Sequence, residues 1–284
     1  MKKIRIVLAG TGEFSKTIFK SLILDSRFEV LCLISQPNKK MDRNKNIILT
    51  PIAQLANEFG LKIFQPNKIK EIYEDLKLLE FDFFITASFG QFIPNSILSL
   101  PKKLALNVHG SLLEKYRGAS PIQYTLLNND QITGVSLIEM IDRMDAGDIL
   151  KSFQIKIKAE DTALELFDKL AKKTSLVIGN WLEEIYNNNF ERKIQNEELV
   201  TFAPKIQNEE AELFTNMTCQ QALNKIRAFN DQPGAFIIYN NKRLKIFRAS
   251  LSKIKTPIKI EFLDGFLYLI EYQFEGKKKV IYEV

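Results

Sequence analysis

Apolar positions in the first half of the chain follow two alternating patterns. "KIRIVLAG", "FEVLCLIS", "FDFFITASFG" and "LALNVHG" are short, nearly continuous apolar runs that end at small residues. That is the form of strands buried on both faces of a parallel sheet. Between them, "FSKTIFKSLILD", "PIAQLANEFG" and "IKEIYEDLKLL" place apolar residues at helical spacing. The second of these opens on Pro51 and closes on Gly60, as helices tend to. "KIFQP" adds a short strand. Strand, helix, strand, helix predicts an α/β fold with a doubly wound, Rossmann-like and mostly parallel sheet.

The pattern then changes. "TGVSLIEMI" and "DILKSFQIKI" form a pair of β segments joined by "DRMDAG". The stretch from Thr162 to Tyr186 reads as one long amphipathic helix that closes a first domain over residues 1–186. Residues 187–205 are polar and without strong periodicity, and read as a linker. Residues 206–284 carry a short helix, "TCQQALNKIRAFN", followed by strand patterns. Asn240-Asn241 and Asp264-Gly265 are hairpin turn signals within them. The expectation is a small C-terminal β-barrel of the OB-like kind.

Composition narrows the class. Apolar residues make up 45% and charged residues 26%, enough for a sizeable core and against global disorder. Lys and Arg outnumber Asp and Glu by 40 to 34; a polyanionic partner is permitted, but so is a plain solvated surface. The two cysteines, Cys32 and Cys219, form no C-x-x-C pair and one histidine cannot build a His-rich metal site, so no metal is expected and both cysteines read as free thiols. Cys32 reads as a buried free thiol of a reducing compartment. No apolar stretch reaches membrane-spanning length, and the N-terminus reads as strand and turn rather than signal peptide. A cytoplasmic monomer with no membrane partner is expected.

Three stretches carry candidate chemistry. "GTGEFS" suggests dinucleotide binding, but Ser15 stands at the third glycine position and no acidic residue closes the second strand. It reads as a turn between strand and helix, bordering the crevice where open sheets bind ligands. "SQPNKKMDRNKN" is a long unstructured insertion. Its Lys39, Lys40, Arg43 and Lys45 are candidates for phosphate contact, or simply a solvated charged loop. The third stretch holds the sole histidine, His109. Asn107 and His109 stand two apart at the end of a strand, so their side chains project from one face. "DRMDAGD" supplies Asp142, Asp145 and Asp148 downstream. Asn, His and Asp together suit stabilisation of an oxyanion in acyl transfer. No Ser or Cys sits in a nucleophile elbow, which favours direct attack by the substrate's own nucleophile. His109 as a hydrogen-bonded structural residue stays open at this level.

These stretches also carry a family likeness. "NVHGSLLEKYRGASPIQ" followed by "TGVSLIEMIDRMDAGDIL" resembles the folate-dependent formyltransferases, and within them the branch acting on methionyl-tRNA. "AGTGEFS", "SQPNKKMDRNKN", "SFGQFIP", "TFAPKIQNEEAEL" and "IRAFNDQPGAF" extend the likeness over nearly the whole chain. The resemblance implies formyl transfer from 10-formyltetrahydrofolate to the amino group of initiator methionyl-tRNA, for translation initiation. It implies catalytic roles for Asn107, His109 and Asp145. It sets the folate against Phe89, Gly90, Gln91, Phe92, Ile93, Ser111, Leu112, Leu113, Glu114 and Asp142. Gly10, Thr11 and Phe14 would flank the methionyl end. Lys39, Lys40, Arg43 and Lys45 would grip the acceptor stem, and the β module would add a second basic tRNA surface. Glu114 departs from the family, which has Pro there; its loss frees one φ angle in the folate-side turn. The competing expectations are a sister formyltransferase acting on a sugar nucleotide or glycinamide ribonucleotide, a hydrolase of formylfolate, and an inactive tRNA-binding protein.

Overall fold

The computed structural model describes residues 2–38, 40–41 and 47–282. They form two compact units. The first comprises Met1–Ala119, Gly134–Gln154 and Asp168–Phe202; the second comprises Ser120–Thr133, Ile155–Phe167 and Ala203–Val284.

The elements follow the apolar pattern closely. In chain order they begin with β1 (Ile4–Gly10), α1 (Glu13–Leu24), β2 (Phe28–Ile34), β3 (Lys40–Met41), β4 (Ile47–Ile48), α2 (Pro51–Phe59), β5 (Ile63–Phe64) and α3 (Tyr73–Lys77). Next come β6 (Phe83–Ala87), α4 (Asn95–Leu98), β7 (Leu104–His109), α5 (Pro121–Leu127), β8 (Ile132–Glu139), β9 (Ile149–Lys156) and α6 (Ala163–Tyr186). The last are α7 (Cys219–Ala228), β10 (Phe236–Tyr239), β11 (Lys242–Ser250), β12 (Lys259–Phe262), β13 (Gly265–Phe274) and β14 (Val280–Ile281). Thr50 caps α2 by accepting from the Ala53 N–H, Pro51 takes its first turn, and Gly60 ends it in a left-handed conformation.

Seven strands form one sheet in the order β5-β2-β1-β6-β7-β8-β9. β2, β1, β6 and β7 pair in parallel, and β5 joins β2 the same way. β8 runs antiparallel to β7, with His109 opposite Ser136 and Asn107 opposite Ile138. Val7, Ala9, Cys32, Ile34, Phe84 and Ala105 form the middle of an apolar cluster on this sheet. Cys32 is a buried free thiol, and burial pushes its pKa up to about 12.

The Gly10 turn is shaped by contact. A Cβ at Gly10 would lie 2.4 Å from Ser15 Cβ. Ser15 Oγ fills that space and accepts from the Thr11 N–H at 3.3 Å while donating to Ala87 O. Ser15 thus stands where a dinucleotide fingerprint has its third glycine, and its hydroxyl braces the turn.

The second unit holds the antiparallel sheet β10-β11-β13-β12, with β14 on β13, a curled half-barrel. Asn240 and Asn241 both have positive φ, 49° and 59°, as a two-residue hairpin requires. Thr218 caps α7 in a capping box with Gln221. Among the described residues, no helix is long and apolar enough to cross a membrane.

The basic insertion is not wholly irregular. β3 and β4 pair antiparallel, Lys40 with Ile48 and Met41 with Ile47. Lys39, Arg43 and Lys45 lie outside the described residues, and Lys40 enters only through its backbone.

Candidate active site

β7 presents Asn107 and His109 from one face, as their spacing requires. Asn107 lies in register with Thr86 on β6. The Thr86 hydroxyl donates to Asn107 Oδ1 at 2.8 Å. With its oxygen turned to Thr86, Asn107 Nδ2 donates to Asp145 Oδ1 at 3.1 Å. One of its two amide N–H bonds is thereby used.

His109 is only 4% exposed. Its Nε2 lies 2.8 Å from the Tyr116 carbonyl, which can only accept, so Nε2 carries a hydrogen. Its Nδ1 lies 3.5 Å from Asp145 Oδ2. The same Oδ2 accepts from the Gly118 N–H at 2.9 Å. One carboxylate thus collects Asn107, His109 and a backbone N–H. The Asp145 carboxylate faces the second ring nitrogen and fixes the orientation of the imidazole. The site offers an amide donor, an imidazole held against a carboxylate, and a basic oxygen, which is the equipment of acyl transfer without a covalent enzyme intermediate.

The other expected site residues divide by burial. Phe89 and Ile93 are buried in the apolar cluster of the sheet, whereas Phe92 is 74% exposed. The Phe89 carbonyl accepts from Thr11 Oγ1 and from Gln36 Nε2, which also donates to Gly90 O. Gln91 is anchored by Ile69 N and Pro66 O. Ser111, Leu113 and Glu114 are buried, Leu112 is half-buried and Asp142 is exposed. Ser111 and Leu113 are tied to β8 through Ser136, which donates to Ser111 O and accepts from the Leu113 N–H. Phe14 is buried at the start of α1; Gly10 ends β1 and Thr11 stands in the turn between them.

Glu114 has a definite partner. Its Oε1 accepts from the Asn196 N–H at 3.0 Å and lies 3.7 Å from Lys193 Nζ. The Asn196 N–H, with Lys193 nearby, holds its carboxyl below the usual glutamate range. Where a Pro would stiffen the turn by ring closure, Glu114 ties it to residues 193–196.

Gln195 of that segment is one of several residues near the site that no local pattern marks. Gln195 and Arg117 are buried against each other, and Thr86 lies inside an otherwise apolar strand. Glu197 receives both Arg117 and Arg143, and Arg117 first of all holds its carboxyl below the usual range. A polar residue in a run without periodicity has no local signature; only its long-range partner identifies it.

Comparison with known proteins adds a second line. Residues 2–180 match the formyl transferase family, and residues 205–283 match the formyl transferase C-terminal domain. The methionyl-tRNA formyltransferase of Mycoplasmopsis pulmonis is 47% identical over 277 residues, spanning 97% of this chain and 95% of that one. That of Mycoplasma capricolum is 39% identical, over 98% of this chain and 93% of its own. Among solved structures, the sugar 3N-formyl transferase WlaRD, crystallised with dTDP and 5-N-formyl-THF, matches in fold with a TM-score of 0.70 at 23% identity. It covers 98% of this chain and 100% of its own. HypX from Aquifex aeolicus, in complex with tetrahydrofolic acid, matches with a TM-score of 0.68 at 15% identity, over 99% of this chain and 46% of that one.

Proposed function

The chain belongs to the formyl transferase family, and on that premise we propose that it transfers a formyl group from 10-formyltetrahydrofolate to the amino group of initiator methionyl-tRNA, in the cytoplasm. The observation that carries the chemical part is the single Asp145 carboxylate contacting Asn107 and His109. The near full-length likeness to methionyl-tRNA formyltransferases supports the substrate.

The residues present suit a flat heteroaromatic ligand. The loops after β6 and β8 leave Phe92, Ile141 and Met144 exposed, the apolar cover such a ring takes. When bound, the folate supplies a formyl carbon on a nitrogen leaving group. Phe89 to Ile93, Ser111 to Glu114 and Asp142 would hold it, and Gly10, Thr11 and Phe14 would flank the methionyl group.

Asn107 keeps one Nδ2–H for an oxygen that gains negative charge. His109 lies against the Asp145 carboxylate and helps orient it. Asp145 takes up the proton released as the amine attacks. In the balance, one N–C bond forms at the methionyl amine and one breaks at the donor. The proton ends on the nitrogen that loses the formyl group. Arg43, with Lys39, Lys40 and Lys45, would hold the acceptor stem.

Incubation with charged initiator tRNA and 10-formyltetrahydrofolate should yield formylmethionyl-tRNA. The fold likeness to a sugar formyltransferase supplies the control: formylation of an amino-sugar nucleotide in place of the tRNA would overturn the substrate reading.

A further inference from the structure

Asp145 must hold two neighbours at once, yet it stands in a turn with a left-handed backbone, φ 53°. That conformation is disfavoured for an L residue, so surrounding contacts must impose it. Two buried polar side chains do so. Arg117 is 2% exposed and Gln195 6%. Arg117 Nε and Nη2 both donate to Gln195 Oε1, at 3.0 and 2.9 Å. With its oxygen so engaged, Gln195 turns Nε2 to the Asp145 turn. It donates to Asp145 O at 2.8 Å and Gly147 O at 2.7 Å. All four hydrogen-bonding positions of the amide are used.

The same turn admits little adjustment. A Cβ at Gly147 would lie 2.0 Å from Glu139 O. Arg117 is itself fixed: its N–H donates to Thr201 O at 2.9 Å, and Glu197 lies 3.1 Å from its Nη2. Gly118, the next residue, donates to the Asp145 carboxylate. Asp145 is therefore gripped twice, at its carbonyl by Gln195 and at its side chain by Gly118. Both grips lead back to Arg117.

We infer that Gln195 and Arg117 are positioning residues that set Asp145 in register with Asn107 and His109. The kinetic part of this inference rests on the proposed formyl transfer; the geometric part does not.

Two variants separate positioning from mere stability. Gln195→Glu keeps an oxygen for Arg117 but loses the amide donor to both carbonyls. Gln195→Met is neutral, of similar length, and loses everything. Each is measured for melting temperature, for kcat and KM in formylation, and for the ring nitrogen signals of His109. As the sole histidine, His109 is resolved without assignment. Both variants should fold. Their kcat should fall roughly ten- to a hundredfold, as for a displaced catalytic group, with KM nearly unchanged. The His109 Nδ1 signal should move toward that of Asp145→Asn. A folded Gln195→Glu with native kcat and an unmoved His109 signal overturns the inference. So does a loss confined to melting temperature. If Gln195→Met unfolds, Gln195→Glu decides alone, because the Arg117 contact survives in it. If the native protein does not formylate methionyl-tRNA, the functional reading fails and the His109 signal still tests the clamp.

Discussion

The face of β7 and the β3–β4 hairpin are opposite in construction. At β7, every named polar group has a short partner, and His109 is buried. At the hairpin, Met41 is 66% exposed and Ile47 and Ile48 stand exposed beside it, in the most basic stretch of the first unit. The difference follows from what each would do. A site that stabilises developing charge must have its dipoles oriented before the reaction begins, or reorganisation consumes the gain. A surface that meets a long polyanion gains from accessible charge and does not need a rigid interior. On the proposed reading, chemistry and recognition fall in regions that substitutions can separate.

The largest effect is expected at β7. His109→Ala, Asn107→Ala and Asp145→Ala should each lower kcat roughly a hundredfold or more, as for loss of an oxyanion donor, with circular dichroism and melting little changed. The double variants should lose less than the product of the singles, because the three act through one carboxylate. Near-normal turnover in a folded His109→Ala would return that residue to a structural role.

Arg43 sharpens the other side of the comparison. Arg43→Ala should weaken tRNA affinity by about 1–3 kcal/mol, as for a bidentate contact, and leave folate-analogue binding unchanged. Arg43→Lys should hurt nearly as much if the guanidinium fork matters, since Lys cannot bind bidentately. A salt series on both variants distinguishes the cases: loss of charge alone flattens the log–log slope by about one unit.

Thr86→Val tests how finely the β7 face is oriented. It keeps the volume and removes the hydroxyl that holds Asn107 Oδ1. Turnover should fall about tenfold, less than the hundredfold cost of a 1 Å displacement of the reacting groups, with the KM for tRNA unmoved. A parallel change in KM would mean the hydroxyl shapes binding instead.

The smallest effect belongs to Glu114. Glu114→Gln keeps an oxygen for the Asn196 N–H and loses only the charge, so it should cost about 1 kcal/mol at neutral pH, the net scale of an ordinary hydrogen bond. Its carboxyl is depressed in the fold by the Asn196 N–H, so the unfolded chain binds the proton more readily. The stabilisation is therefore complete above the unfolded value of about 4.3 and is lost as pH falls through the lower, folded value. Thermal melts of both proteins from pH 7 to pH 3 should converge at the acid end. Glu114→Pro should destabilise as well, because it removes the oxygen that Asn196 and Lys193 share.

Much of the site was readable along the chain. The spacing of Asn107 and His109 on a buried strand puts both on one face, and the structure joins them through Asp145, which spacing alone left among three aspartates and the family resemblance singled out. The buried parallel strands, the capped helix α2 and the Asn240-Asn241 hairpin were likewise visible, because each depends on a repeat or turn chemistry within a few residues. The paired strands β3 and β4 within the basic insertion were not, since two-residue strands carry no period.

What only tertiary structure decided has one physical cause. Gln195 lies 50 positions from Asp145 and 78 from Arg117 in the chain. Sequence periodicity records which face a residue turns to the core, a property of its own neighbourhood. It does not record which distant donor meets which acceptor, because that follows from where the whole sheet sets the chain. The apolar pattern therefore determined the sheet and the strand that bears Asn107 and His109. Folding brought Asp145 against Asn107 and His109 and placed Thr86, Arg117, Gln195 and Glu114 around the site, because buried polar groups must find partners and here those partners are distant in sequence.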